Sequence, residues 1–441
     1  MTQAQNSPGF ATRALHAGAA PDPTHGSRAV PIHQTTSYVF KDVDHAARLF
    51  GLQEFGQIYT RITNPTTDVL ERRIADLEGG TAAVAFASGH AAQFSVFHVL
   101  LQPGSHIVAA KQLYGGSLNQ FSHAFKKFGW TVSFVDHDDF DGLAAAITPD
   151  TRAVFIESLA NPSGIVTDIA RIAEIAHAAG VPLIVDNTMA SPYLIRPIEW
   201  GADIVVHSLT KFIGGHGNSI GGILVDSGRF DWGKNPERWP TLTEPLEFYA
   251  GLKVHDVFGA IGLGPGGSPV NISLAIAARV FTLRDLGASI SPFNAWAIEQ
   301  GVQTLPLRMQ RHSDNALAVA QWLSAHPKVA WVNYAGLPGN ASKSLQQKYS
   351  PRGAGAVFTF GLKGGYEAGI GLVKHLKLFS HLANIGDTKS LVIHPASTTH
   401  RQVPDDKKVG AGAGPDVVRV SIGIEDISDI LADLDQALAQ V

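Results

Sequence analysis

The chain has 441 residues with 34 Lys and Arg against 38 Asp and Glu, a formal net charge of −4, which lacks the basic surplus of a phosphate-backbone binder and argues against nucleic acid or anionic membrane as partners. Apolar residues make up 45% and charged residues 16%, the composition of a large globular protein with surface left to cover by oligomerisation. The absence of cysteine excludes disulfides, thiolate metal sites and a Cys nucleophile, and with no membrane-length apolar stretch and no signal-like pattern in residues 1–20 the expected compartment is the cytoplasm.

In chain order, residues 1–65 mix turn formers with isolated aromatics and read as an arm that docks on a neighbouring subunit. An amphipathic helix is expected from about Thr66, with Val69, Leu70, Ile74 and Leu77 at helical spacing and Gly79-Gly80 as its stop. Short apolar runs follow at 82–86, 107–109, 131–135, 153–156, 183–185, 204–206 and 223–225, separated by helix-length segments. That alternation indicates an α/β domain over residues 66–305, a mostly parallel sheet covered by helices on both sides. Residues 227–269, rich in Gly, Pro and Trp, read as an insertion of short helices and turns. A long helical region from about 272 to 325, interrupted near Thr304-Leu305-Pro306, leads into a smaller C-terminal α+β domain over 306–441, with strands at 357–360 and 417–424 and a helix at 427–438.

In such sheets ligands bind beyond the carboxyl ends of the strands, and polar residues collect there: Ser88-Gly89-His90, Glu157-Ser158 with Asn161, Asp186-Asn187, and Ser208-Leu-Thr-Lys211. Neighbouring parallel strands would bring Asp186 and Lys211 together. A Lys with lowered pKa can condense with an aldehyde, and a carboxylate can keep a pyridine nitrogen protonated. Ser208 and Thr210, on the strand face opposite Lys211, and the helix start at Ser88-Gly89-His90 are candidate phosphate donors. Tyr114 could stack on a planar ring, and Arg419 could clamp a substrate carboxylate. Each has an ordinary alternative: Asp186 capping a turn, Lys211 in solvent, Ser-Gly as a common turn, Tyr114 at a core edge, Arg419 on an edge strand. The run Gly262-Leu-Gly-Pro-Gly-Gly does not follow a strand and is a poor dinucleotide fingerprint, Lys211-Phe-Ile-Gly-Gly is not a phosphate-binding loop, and the 19 His residues include no His-Glu-x-x-His, so no metal is expected.

Taken together, the motifs resemble the pyridoxal-phosphate-dependent Cys/Met-metabolism family, fold type I (aspartate-aminotransferase-like), and within it the O-acetylhomoserine sulfhydrylases. They are Tyr59-Thr-Arg-Ile-Thr-Asn-Pro-Thr, Ala87-Ser-Gly-His, Leu113-Tyr-Gly-Gly, Glu157-Ser-Leu-Ala-Asn-Pro-Ser-Gly, Val185-Asp-Asn-Thr, His207-Ser-Leu-Thr-Lys-Phe-Ile-Gly-Gly-His-Gly and Val418-Arg-Val-Ser-Ile-Gly-Ile-Glu. The resemblance implies pyridoxal 5'-phosphate as cofactor, with Lys211 as the Schiff-base lysine and proton shuttle, Asp186 on the ring nitrogen and Asn161 on the phenolic oxygen. It implies Ser88, Gly89, His90, Ser208 and Thr210 on the phosphate, joined by Tyr59 and Arg61 from a neighbouring subunit. Tyr114 would stack on the ring and assist proton transfer, and Arg419 with the backbone near Ser390 would bind the substrate carboxylate.

The implied reaction is a γ-replacement joining O-acetyl-L-homoserine and sulfide to give homocysteine, by a homotetramer built from two dimers. The insertion and the segment from Gly386 to His400 resemble the longer sulfhydrylases, and Gly116 stands where methionine γ-lyases usually carry Cys. The alternatives are a cystathionine γ-synthase or methionine γ-lyase of the same family, or a non-catalytic binding protein on the same fold.

Overall fold

A computed structural model describes residues 8–261, 269–399, 401, 408 and 412–441; residues 262–267 of the Gly/Pro run and His400 lie outside them. The seven apolar runs form strands β1 (Ala82–Phe86), β2 (His106–Ala110), β3 (Thr131–Val135), β4 (Thr151–Glu157), β5 (Leu183–Asp186), β6 (Ile204–Ser208) and β7 (Gly222–Asp226). They make one sheet in the order β1-β7-β6-β5-β4-β2-β3. Pairs β2–β3, β2–β4, β4–β5 and β5–β6 are parallel. The interior strands are buried on both faces, which is why they read as unbroken Val, Ile and Ala runs rather than as alternating ones.

Parallel pairing does not extend to β7, which runs antiparallel to both β6 and β1. A parallel return needs a long crossover, usually a helix, whereas residues 209–221 form turns and no helix. The reversal sets Gly222 opposite Ser208 on one side and Phe86 on the other. A Cβ at Gly222 would lie 2.0 Å from the Ser88 carbonyl oxygen, so only glycine lets the turn after β1 cross at this point.

The first long helix, Pro65–Glu78, starts slightly earlier than its apolar spacing suggested, because the Asn64 side chain accepts the Thr66 N–H and Pro65 opens the first turn. It ends at Gly79 with φ +80°, a left-handed stop. The N-terminal stretch divides in two. Helix Phe10–His16 packs on the chain's own helix Pro65–Glu78, with Ala14 fully buried and the Ala17 carbonyl accepting from Arg73. Residues 32–62 instead leave Val39, Val43 and Phe55 in the open, Val39 at 99% exposure.

The insertion carries short helices at Pro236–Arg238, Pro240–Thr243, Glu247–Tyr249 and Val254–Phe258. The helical region after it breaks twice rather than once: Gly287, at φ +78°, ends the first part before Pro292–Gln303 and Leu305–Ala325. A second sheet holds β8 (Val329–Asn333), β9 (Val357–Leu362), β10 (Ser380–His381), β11 (Leu391–Ile393) and β12 (Val417–Ser421) in the order β10-β11-β12-β9-β8. With helices Gly365–His375 and Ile427–Ala439 it forms the smaller α+β part. β12 stops at Ser421, short of the expected 424, because the Gly423 N–H turns to Ser390 Oγ and the Ile424 N–H to the Thr388 carbonyl. Among the described residues no helix is long and apolar enough to cross a membrane.

Arg73 and Glu299 form an ion pair at 1% side-chain exposure each, tying helix Pro65–Glu78 to helix Pro292–Gln303. Removing one member leaves the other charge buried without its partner. Glu299→Ala is expected to cost about 3–5 kcal/mol in a denaturant titration, whereas Arg171→Ala, which breaks the exposed pair with Glu174, should cost under about 1 kcal/mol.

Candidate active site

The parallel register of β4, β5 and β6 sets Glu157 opposite Asp186 and Asp186 opposite Val206, so three strand ends present their residues side by side. The turn after β5 is fastened to β6: Asp186 Oδ1 accepts the Thr188 N–H at 2.9 Å, and Thr188 Oγ1 accepts the Ser208 N–H at 2.8 Å. Asp186 therefore caps its turn and still faces the site. Burial pushes its carboxyl above the usual range, with the Thr188 hydrogen bonds opposing. Burial also raises Glu157 well above that range, helped by the negative charge of Asp186.

Lys211 lies beyond the end of β6, in the turn that follows, so the strand alternation expected for Ser208, Thr210 and Lys211 does not apply. Its amine donates to Asn384 Oδ1. Burial lowers the amine's proton affinity, and the positive charge of Arg419 lowers it further, the condition for a nucleophilic or basic lysine. Arg419 occupies an interior strand, between β11 and β9, not an edge. It donates to Asn161 Oδ1 at 3.3 Å and to the Asn384 carbonyl at 3.2 Å. Burial pulls the guanidinium down to about 10, so it stays cationic at neutral pH.

Helix Gly89–Leu100 opens at Ser88, whose hydroxyl accepts the Ala91 N–H. The first-turn N–H groups of Gly89 and His90 have no intrahelical acceptor and offer themselves to an anion. A Cβ at Gly89 would meet Ser208 Cβ at 2.8 Å, so this helix start and the end of β6 are in direct contact. Thr210 is less available than its position suggests. Its hydroxyl both donates to the Gly221 carbonyl at 3.2 Å and accepts the Gly221 N–H at 3.1 Å.

Tyr114 is 47% exposed, edge-on to the His90 ring at 5.8 Å between centroids. Its backbone N–H donates to Glu157 Oε1 at 2.6 Å, and the Asn161 N–H donates to Glu157 Oε2 at 2.9 Å. Ser390 is buried with its N–H and hydroxyl both committed to the Glu425 carboxylate; Asn384, not Ser390, is the residue of that segment that meets Arg419. Tyr59 and Arg61 sit elsewhere. They line a cavity of about 1630 Å³ with Tyr38, Phe50, Tyr249 and Arg284, and Arg61 donates to the Arg284 carbonyl. Among the described residues neither bonds to Ser88, Gly89, His90, Ser208 or Lys211. Sequence reasoning missed Asn384, which nothing in its local pattern marks, and included Thr188 and Glu157 in quoted motifs without giving either a role in the site.

Because the positive charge of Arg419 lowers the proton affinity of the Lys211 amine, Arg419→Met is expected to shift the pH midpoint of reductive aldehyde labelling at Lys211 upward. Peptide mass spectrometry of borohydride-trapped samples across a pH series reads the shift, and an unchanged midpoint would separate the two residues electrically.

Comparison with known proteins agrees with this arrangement. Residues 11–439 match the family model of the Cys/Met metabolism PLP-dependent enzymes. The chain is 55% identical over 431 residues to an O-acetyl-L-homoserine sulfhydrylase of Leptospira meyeri, covering 98% of this chain and 96% of that one. It is 51% identical over 430 residues to a homocysteine synthase of Schizosaccharomyces pombe, covering 97% and 98%. A crystal structure of a putative O-acetylhomoserine (thiol)-lyase from Campylobacter jejuni, which carries a pyridoxyl-lysine phosphate, superposes with a TM-score of 0.92 at 39% identity over 98% of this chain and all of that one. With the fold, the strand-end lysine and the full-length match in agreement, the chain belongs to the pyridoxal-phosphate-dependent enzymes of Cys/Met metabolism.

Proposed function

We propose that the protein replaces the acetate of O-acetyl-L-homoserine with sulfide, giving L-homocysteine and acetate, as a cytoplasmic homotetramer whose sites are shared between subunits. The observation that carries the reading is similarity along the whole chain to enzymes named for that substrate or product, joined to a lysine and an arginine that meet through Asn384.

The residues present fit pyridoxal phosphate. Two free N–H groups at Gly89 and His90 and the Ser208 hydroxyl, which has no partner among the described residues, suit a phosphate, and the Gly89–Ser208 contact leaves the cradle no room for a side chain. Ser88 caps the helix start, and Thr210 serves by pinning Gly221. Asp186 would hold a ring nitrogen and its proton. The Asn161 amide nitrogen, its oxygen already taken by Arg419, is left to donate to a ring oxygen, and the exposed Tyr114 face to cover the ring. Bound there, the cofactor supplies an electron sink that makes the substrate's Cα and Cβ protons acidic.

The chain's own groups do the rest. Arg419 binds the substrate carboxylate and thereby aims Cα at Lys211. The Lys211 amine, its proton affinity lowered by burial and by Arg419, takes the Cα proton and returns a proton at the end. Asn384 keeps that amine in place between transfers. A proton lost from Cβ as acetate departs from Cγ with the C–O electron pair is returned to Cβ once hydrosulfide has formed the new C–S bond at Cγ, so that the exchange balances as acetate out and hydrosulfide in. Tyr59 and Arg61, remote from the other donors in one chain, would complete the phosphate site of a second copy, with exposed Val39, Val43 and Phe55 covered in the assembly.

Purified protein given O-acetyl-L-homoserine is expected to form homocysteine with sulfide far faster than cystathionine with cysteine or 2-oxobutyrate with neither; the reverse order rejects the assignment. Lys211→Ala should keep the fold while losing turnover by about a thousandfold or more. Oligomers mixed from Arg61→Ala and Lys211→Ala chains should regain activity that neither parent has, and no recovery would remove the shared site.

A further inference from the structure

Glu157 is 4% exposed at the end of β4, yet no cation pairs with it among the described residues. Both its oxygens are taken by backbone N–H groups from separate loops: Tyr114 at 2.6 Å and Asn161 at 2.9 Å. Asn161 in turn accepts from Arg419, Arg419 donates to Asn384, and Asn384 accepts from Lys211. The chain of bonds thus runs from the ring-facing Tyr114 to the amine of Lys211 through Glu157.

Burying a carboxyl group without a cation is costly, and two N–H bonds to it offset part of that cost. A neutral amide would not serve as well. Gln offers one acceptor oxygen and an NH₂ that would face the second N–H donor-to-donor. Asp offers two oxygens but falls one methylene short. A side chain accepting from both loops at this depth therefore needs the length and the two oxygens of Glu.

We propose that Glu157 is a positioning residue of the reaction, a clasp that fixes the Tyr114 ring and the Asn161–Arg419 pair onto one strand end. The inference rests on the site reading given above, though not on the identity of the thiol or the ester.

Glu157→Gln and Glu157→Asp holoenzymes are to be compared with wild type by visible circular dichroism of the bound cofactor, by pyridoxal phosphate affinity of the resolved apoenzyme, and by kcat/KM for O-acetyl-L-homoserine with sulfide. Glu157→Gln is expected to weaken the dichroic band, to loosen the cofactor about 10-fold and to lower kcat/KM about 10- to 100-fold. Glu157→Asp should fall between it and wild type. In a double-mutant cycle, the losses of Glu157→Gln and Tyr114→Ala should overlap rather than multiply. Bands and affinities within about twofold of wild type in both variants, or losses that multiply in the cycle, would overturn the clasp. If Glu157→Gln is insoluble, Glu157→Asp decides alone. A wild-type enzyme making no homocysteine would reject the proposed reaction while leaving the dichroism and affinity readings to judge Glu157.

Discussion

The register between β4, β5 and β6 fixes Glu157 beside Asp186, and Thr188 ties Asp186 to Ser208. The other groups on this side of the site are placed from these three ends. Tyr114 and Asn161 hang from Glu157, the helix start at Gly89 rests on Ser208, and Lys211 leaves β6 in the turn that the antiparallel β7 imposes. A one-residue slip in either pairing would exchange the faces of these side chains, so the uniformly apolar strands that hold the register are as necessary to the chemistry as the polar residues at their tips.

Behind the tips lies a second polar layer inside the core. Glu78 Oε1 accepts from His207 Nε2 at 2.6 Å and from Asn187 Nδ2 at 2.8 Å, and Ser158 donates to Asn187 at 2.7 Å. Its four members come from helix Pro65–Glu78 and from residues directly adjoining Glu157, Asp186 and Ser208. Hydrogen bonds made at this depth rigidify what they join, although Glu78 Oε2 and His207 Nδ1 are left without partners among the described residues. Here they join the three strand ends to the end of helix Pro65–Glu78.

How much of this was legible in the sequence depended on whether the signal was local. Seven apolar strands announce themselves by composition, and the helix Pro65–Glu78 by its spacing and its Gly79 stop. The direction of β7 does not, because an apolar run reads alike both ways and only the missing helix before it argues for a reversal. Lys211, Asp186 and Arg419 stood out by residue type against apolar strands. Their partners did not: Asn384 meets Lys211 across 173 positions, and Glu425 takes up Ser390 across 35. The Thr210 hydroxyl looked like a free donor until the fold brought Gly221 against it. Local pattern names the residues with unusual chemistry; tertiary contact decides which of them are left with a hand free.

Lys211 belongs to the large sheet's turn and Arg419 to the small sheet's interior strand, and the two sides meet here through Asn384, which serves both, and through Asn161, which accepts from Arg419. An amino acid gripped by its carboxylate on one side and deprotonated from the other becomes a second bolt across the same seam. Cargo and framework are then mechanically linked: molecules too short to reach both walls leave the seam as loose as it was, and discrimination against them comes from stiffness not gained as much as from contacts not made.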